Sequence, residues 1–171
     1  TLSFEPINFA KSKNIDVIVF DHHQSEIKLP NAFSIINPNR IDDNSKLNYL
    51  CAVGVCYMFL IALNKELRNI NWFNDKKIKE PDLLKYLDLV SLGTVCDVVP
   101  LKFLNRALVN QGLKVLNLKK NLGLKTLLDI CKIENTPTTY HLGYVIGPRI
   151  NAGGRVGKCF HGTNLLLNIN P

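Results

Sequence analysis

Hydrophobic positions change their rhythm along this chain, and the changes mark out its elements. Residues 16–20, Asp-Val-Ile-Val-Phe, form a dense β-branched run, the pattern of a strand buried on both faces of a parallel sheet. A second candidate strand spans 32–36 and is closed by Asn37-Pro38-Asn39. The polar run 42–46 reads as a loop. From 48 to 68 the pattern is helical, apolar almost all round until Asn64 and polar beyond it, which predicts a buried core helix. A charged connection containing Trp72 covers 69–80. Pro81-Asp82 predicts a helix start with proline pre-set in the first turn, running to about residue 92. Residues 93–100, Gly-Thr-Val-Cys-Asp-Val-Val-Pro, read as a turn with a short extended piece. Further helices are predicted over 105–116, 122–131 and 139–146, followed by a glycine-rich loop over 147–157. Strands alternate with helices, so the predicted class is α/β, a parallel sheet flanked by helices.

Composition narrows the picture. The 171 residues are 46% apolar, which suits a packed domain and excludes a disordered chain. The net charge of +7 suits a polyanionic partner such as nucleic acid; the alternative is a lysine- and asparagine-rich composition without a patch. The longest apolar run, 50–63, has 14 residues, short of the roughly 18 needed to span a bilayer. Cys51, Cys56, Cys96, Cys131 and Cys159 match no zinc framework, and their mostly apolar surroundings read as reduced, buried thiols of a cytoplasmic protein. The sequence opens at Thr1 without an initiator Met and shows no signal peptide, so it reads as an internal fragment.

Three segments carry candidate chemistry. Asp21-His22-His23 follows the first strand, where open α/β sheets bind ligands. A carboxylate and imidazoles suit a divalent transition ion such as Mn²⁺, with Mg²⁺ or Zn²⁺ as alternatives. In strand geometry Asp21 and His23 share a direction and His22 opposes them, unless the chain leaves strand geometry at this point, which splits the three between binding metal, orienting it and meeting substrate; the alternative is local hydrogen bonding at a strand end. Asp97, among Cys96, Val98 and Val99, reads either as a buried carboxylate that needs a metal or partner, or as a capping residue. Arg149 and Arg155, in Gly-Pro-Arg-Ile-Asn-Ala-Gly-Gly-Arg, suit phosphate if the glycines let backbone N–H groups approach; otherwise they are solvated linker residues. His141, His161 and Arg106 read as surface or helix-end residues, and Trp72-Phe73 as local packing rather than a base-stacking pair.

These segments occur in an order that resembles the RecJ-type single-strand-DNA exonucleases of the DHH phosphoesterase superfamily. The resemblance rests on 16–23, Ile35-Ile36-Asn37-Pro38, Ser91 to Leu101 with Asn105-Arg106, and Gly147 to Arg155. It implies a metal-dependent 5′-to-3′ exonuclease acting on single-stranded DNA in repair and recombination, with Mn²⁺ or Mg²⁺. It implies His22 and Asp97 as metal ligands, Asp21 and His23 as catalytic groups, Arg149 as catalytic and DNA-binding, and Arg155 as DNA-binding. It divides the chain into 1–140, the C-terminal part of a DHH domain, and 141–171, a connector toward a second domain. The family pattern also needs aspartates upstream of the Asp-His-His strand, which this sequence does not contain, and Gly153 replaces a common Ala. The chain alone is therefore expected to be inactive. Alternatives are a phosphodiesterase of oligonucleotides or cyclic dinucleotides, and a non-catalytic nucleic-acid-binding remnant.

Overall fold

The computed structural model describes residues 2–157 and 160–167. It divides into two compact units, Thr1–Pro81 and Asp82–Pro171.

In the first unit, α1 (Phe4–Ser12) carries Glu5 in its first turn and Lys11 in its last, which complements the helix dipole, and it buries Ile7. Strands β1 (Ile18–Phe20) and β2 (Ser34–Ile36) pair in parallel, with Ile18 opposite Ser34 and Phe20 opposite Ile36. The Asp21 N–H donates to the Ile36 carbonyl at 3.1 Å, carrying the ladder one residue past the strand. Helix α2 (Ala52–Asn69) covers the sheet, with Phe20 and Phe59 edge to face at 4.8 Å. Its start lies later than the predicted 48, because Cys51 is still extended. Its buried stripe is Gly54, Val55, Tyr57 and Asn64, whereas Leu60, Ile61 and Leu63 are exposed. The apolar run is thus one-sided in burial, not a helix buried all round. Asn64 is buried because its amide donates to the Pro81 carbonyl at 3.2 Å. Helix α3 (Trp72–Asp75) comes next, with Trp72 and Phe73 packed edge to face.

The second unit opens on a 3₁₀ turn, Leu83–Tyr86, whose Leu84 N–H is capped by the Asp82 carboxylate at 3.0 Å. Helices α4 (Leu87–Cys96) and α5 (Phe103–Asn117) pack closely. The helix expected to end near 92 continues to Cys96. Gly93 does not break it, because Val90, Ser91, Leu92 and Thr94 are buried, and the Ser91 and Thr94 hydroxyls donate back to the Asp88 and Val90 carbonyls. Gly112 on α5 permits the approach: a Cβ there would lie 2.2 Å from the Leu87 carbonyl oxygen. Helix α6 (Leu122–Ile130) is capped by the Asn121 side chain, which accepts from Leu124 N–H.

A π-helical segment, His141–Ile146, runs into α7 (Gly147–Val156), and α8 (Phe160–Leu167) comes after it. The predicted glycine-rich loop is therefore a helix. Pro148 is accommodated in its first turn, and Gly147 serves packing instead of turning. A Cβ on Gly147 would lie 2.4 Å from the Cys96 sulfur. Leu92, Leu116, Leu124, Leu127, Leu128, Ile133, Leu142 and Ile146 form the core. Each fully buried leucine contributes about 1.5–3 kcal/mol. Among the described residues, no helix is long and apolar enough to cross a membrane.

Candidate functional site

The chain leaves strand geometry immediately after Phe20, and the Asp21 carboxylate organises the turn made by the two histidines. Its Oδ1 accepts from the His22 N–H at 2.8 Å and the His23 N–H at 3.1 Å, an Asx turn. The same oxygen lies 2.7 Å from His23 Nδ1. The turn thus brings Asp21 and His23 together. His22 does not oppose them, since the turn brings its ring centroid to 4.5 Å from that of His23. The Asp21 side chain is 16% exposed and the His23 side chain 76%, so a shielded carboxylate fixes an accessible imidazole. That pairing occupies Nδ1 and leaves Nε2 as the ring nitrogen available for chemistry.

A second set of bonds reaches this turn from the far end of β2. Asn37, 3% exposed, donates to the His23 carbonyl at 2.9 Å, and Asn39 donates to the His22 carbonyl at 2.6 Å. Asn37 Oδ1 accepts from Asn39 N–H at 2.8 Å, which braces the two side chains together. The parallel pairing of β1 and β2 sets these partners side by side. Asn37-Pro38-Asn39 reads in sequence only as a strand terminator; the pairing of its amides with the histidine carbonyls arises from the sheet register.

The remaining candidates lie on the second unit. Asp97 is the C-cap residue of α4 and its N–H donates to the Gly93 carbonyl at 3.0 Å. It is exposed, so the expectation of a buried carboxylate does not hold; helix α4 extends one turn further than predicted and carries Asp97 to its open end. The next residue, Val98, has φ +59°, a left-handed conformation that β-branched residues seldom adopt. Cys96 is also exposed as a residue, contrary to the buried thiol expected. Partial burial of its sulfur, and then the charge of Asp97, push its thiol above the ordinary value. Cys51 is buried, Cys56 and Cys131 are half-buried, and Cys159 lies outside the described residues.

Arg149 and Arg155 are exposed on α7. Arg149 Nη1 donates to the Val145 carbonyl at 2.7 Å, which draws the guanidinium back along its own helix. Because the segment is helical, its interior N–H groups are committed to helix bonds and do not form an anion cradle. His141 Nδ1 accepts from Thr138 N–H at 3.0 Å, a helix-start role, and His161 and Arg106 are exposed.

Mixed carboxylate and imidazole donors suit Mn²⁺ or Mg²⁺ in kind. In number they fit only in part: among the described residues, no group of three or more His, Cys, Asp or Glu stands close enough to hold a metal ion.

A family model described as "DHH family, N-terminal domain" matches residues 1–94. The single-stranded-DNA-specific exonuclease RecJ of Escherichia coli K12 is 42% identical over 163 residues, 94% of this chain and 28% of that protein. The RecJ of Bacillus subtilis 168 is 32% identical over 160 residues, 93% of this chain and 18% of that protein. A crystal structure of exonuclease RecJ bound to manganese superimposes with TM-score 0.77 at 29% identity, covering 96% of this chain and 39% of that one. RecJ of Thermus thermophilus in complex with Mn²⁺ gives TM-score 0.78 at 29% identity, over 99% of this chain and 24% of that one. The chain thus spans 28% of the length of the E. coli relative.

Proposed function

This chain belongs to the DHH family, and on that premise we propose that it is part of a metal-dependent exonuclease that hydrolyses single-stranded DNA from the 5′ end in repair and recombination. The observation that carries the reading is the Asp21–His23 pair, 2.7 Å apart at the carboxyl end of β1, with the His22 ring beside it. Residues 1–140 are read as the C-terminal part of the catalytic domain and 141–171 as a connector. The four cysteines described are thiols outside any disulfide, which supports a cytoplasmic setting.

In this reading His22 and Asp97 are metal ligands, and Mn²⁺ or Mg²⁺, when bound, lowers the pKa of a water and offsets charge on the phosphoryl oxygens. Asp21 holds His23 in one ring orientation, and His23 Nε2 is then presented to the scissile phosphate. Arg149 and Arg155 offer guanidinium donors to the DNA backbone or to developing charge. The part-complete donor set supports a further expectation, that the 171-residue chain alone does not catalyse.

Assays of the chain and of a full-length relative, using long single strands, duplexes and dinucleotides with Mn²⁺, test this. The expected result is cleavage of single strands by the full-length protein, abolished by the substitution equivalent to His22→Ala, and none by the chain. Robust Mn²⁺-dependent cleavage by the chain would overturn the inactivity, and a preference for dinucleotides would overturn the exonuclease reading.

A further inference from the structure

The second unit carries an aromatic pair that none of the chemistry above uses. Tyr140 and Tyr144 stand one helical turn apart at the entrance to the π-helical segment, with ring centroids 5.4 Å apart and planes inclined by 27°. Their exposures are 61% and 76%, although tyrosine rings ordinarily bury most of their apolar area. The two rings hold each other in place: Tyr140 is stacked on Tyr144 and also meets the His141 ring edge to face at 5.7 Å. They therefore present a preformed flat surface, with little side-chain freedom left to lose on binding.

Charge identifies the occupant. Arg149 bonds the Val145 carbonyl, so its guanidinium lies beside the residue that follows Tyr144. Arg155 is exposed further along the same helix. From residue 135 to residue 171 the sequence contains no Asp or Glu. Exposed aromatic faces and exposed guanidinium groups carried on one acid-free segment suit a strand whose bases are unpaired and whose backbone is anionic. A protein partner's apolar patch would use the rings but not the cations.

We infer that Tyr140 and Tyr144 form a base-stacking platform for a single-stranded nucleic acid, with Arg149 engaging the phosphate next to the stacked base. The inference rests on the proposed function and adds to it the residues that grip the bases.

Binding of the 171-residue chain to fluorescein-labelled oligothymidylate, measured by fluorescence anisotropy in a chelator, tests it without catalysis. Tyr144→Ala and Tyr140→Ala should each weaken binding about five- to 100-fold. The Tyr→Phe variants should bind like the wild type, because stacking uses the ring and not the hydroxyl. An abasic strand should bind the wild type no better than oligothymidylate binds the alanine variants. Arg149→Ala should lower the slope of log affinity against log salt by about one. The abasic strand leaves the protein unaltered, so this arm decides even where an alanine variant misfolds. Equal affinity for abasic and base-bearing strands overturns the platform. Wild-type binding that persists in the Tyr140→Ala/Tyr144→Ala double variant also overturns it, and leaves the nuclease reading standing. No binding by the wild type overturns the platform, while single-strand cleavage by the full-length relative would still uphold the nuclease reading.

Discussion

The turn after β1 and the α4–α7 region of the second unit hold their candidate residues by opposite means. Around Asp21, His22 and His23, positions are set by side chains bonding backbone: Asp21 to two N–H groups, Asn37 and Asn39 to two carbonyls. On the sheet itself Ile18 and Phe33 are 48% and 73% exposed. In the second unit, Arg149 and Tyr144 sit on helical segments anchored by Leu142 and Ile146, both 0% exposed, and by Gly147 against Cys96. Hydrogen bonds are directional and fix ring orientation, but each adds only about 1 kcal/mol net. Apolar packing contributes more and orients less. A site that must aim an imidazole uses the former, and a surface that must only present a side chain can use the latter.

Substitutions can break or sharpen that contrast. Leu128→Ala, at a position 0% exposed, should cost the second unit about 4 kcal/mol in urea unfolding. A loss under about 1 kcal/mol would show that packing does not dominate there. Gly112→Ala should cost about 3 kcal/mol, since its Cβ would meet the Leu87 oxygen at 2.2 Å and Ser91 Cβ at 2.5 Å. Asn37→Ala should cost less, about 1.5 kcal/mol, by removing the donor to the His23 carbonyl. Its larger effect should be on orientation: in histidine-edited NMR spectra the His22 and His23 signals should move while His141 and His161 stay in place. Unmoved His22 and His23 signals would mean the asparagines do not position them.

Val98→Gly should stabilise by about 1 kcal/mol, because glycine adopts φ +59° without the steric cost of a branched Cβ. Thermal melting would show the gain; a loss would mean the Val98 side chain is held by contacts that outweigh its strain. The smallest effect concerns Asp88, 3% exposed, whose pKa burial raises while the Leu89 N–H bond partly opposes the shift. The folded state then binds this proton more tightly than the unfolded state. Stability from this group is present below the ordinary Asp value and declines as pH rises through the raised one. Asp88→Asn should flatten that decline; an unchanged pH profile would exclude Asp88 as its source.

Much of this was legible locally. The β-branched run before Asp21 reads directly as a strand, and the tripeptide is contiguous, but the pairing of Asp21 with His23 belongs to the turn that follows the strand. What failed was the reading of glycine. Gly93 and Gly147 look like turns in sequence, yet both are helical, and Gly147 and Gly112 are small because another segment's atoms occupy the space a Cβ would need. Tyr140 and Tyr144 show helical spacing in the sequence, but spacing does not reveal whether a face is covered.

The sequence by itself determined the α/β class, the placement of Asp-His-His at a strand end, and the acid-free basic character of the last segment. These depend on period, order and composition, which are properties of neighbours along the chain. The tertiary structure decided which amides hold the histidine carbonyls, which glycines continue a helix, and that Asp97 is open to solvent. Those depend on atoms brought together from distant positions, where close packing and hydrogen-bond direction outweigh local propensity.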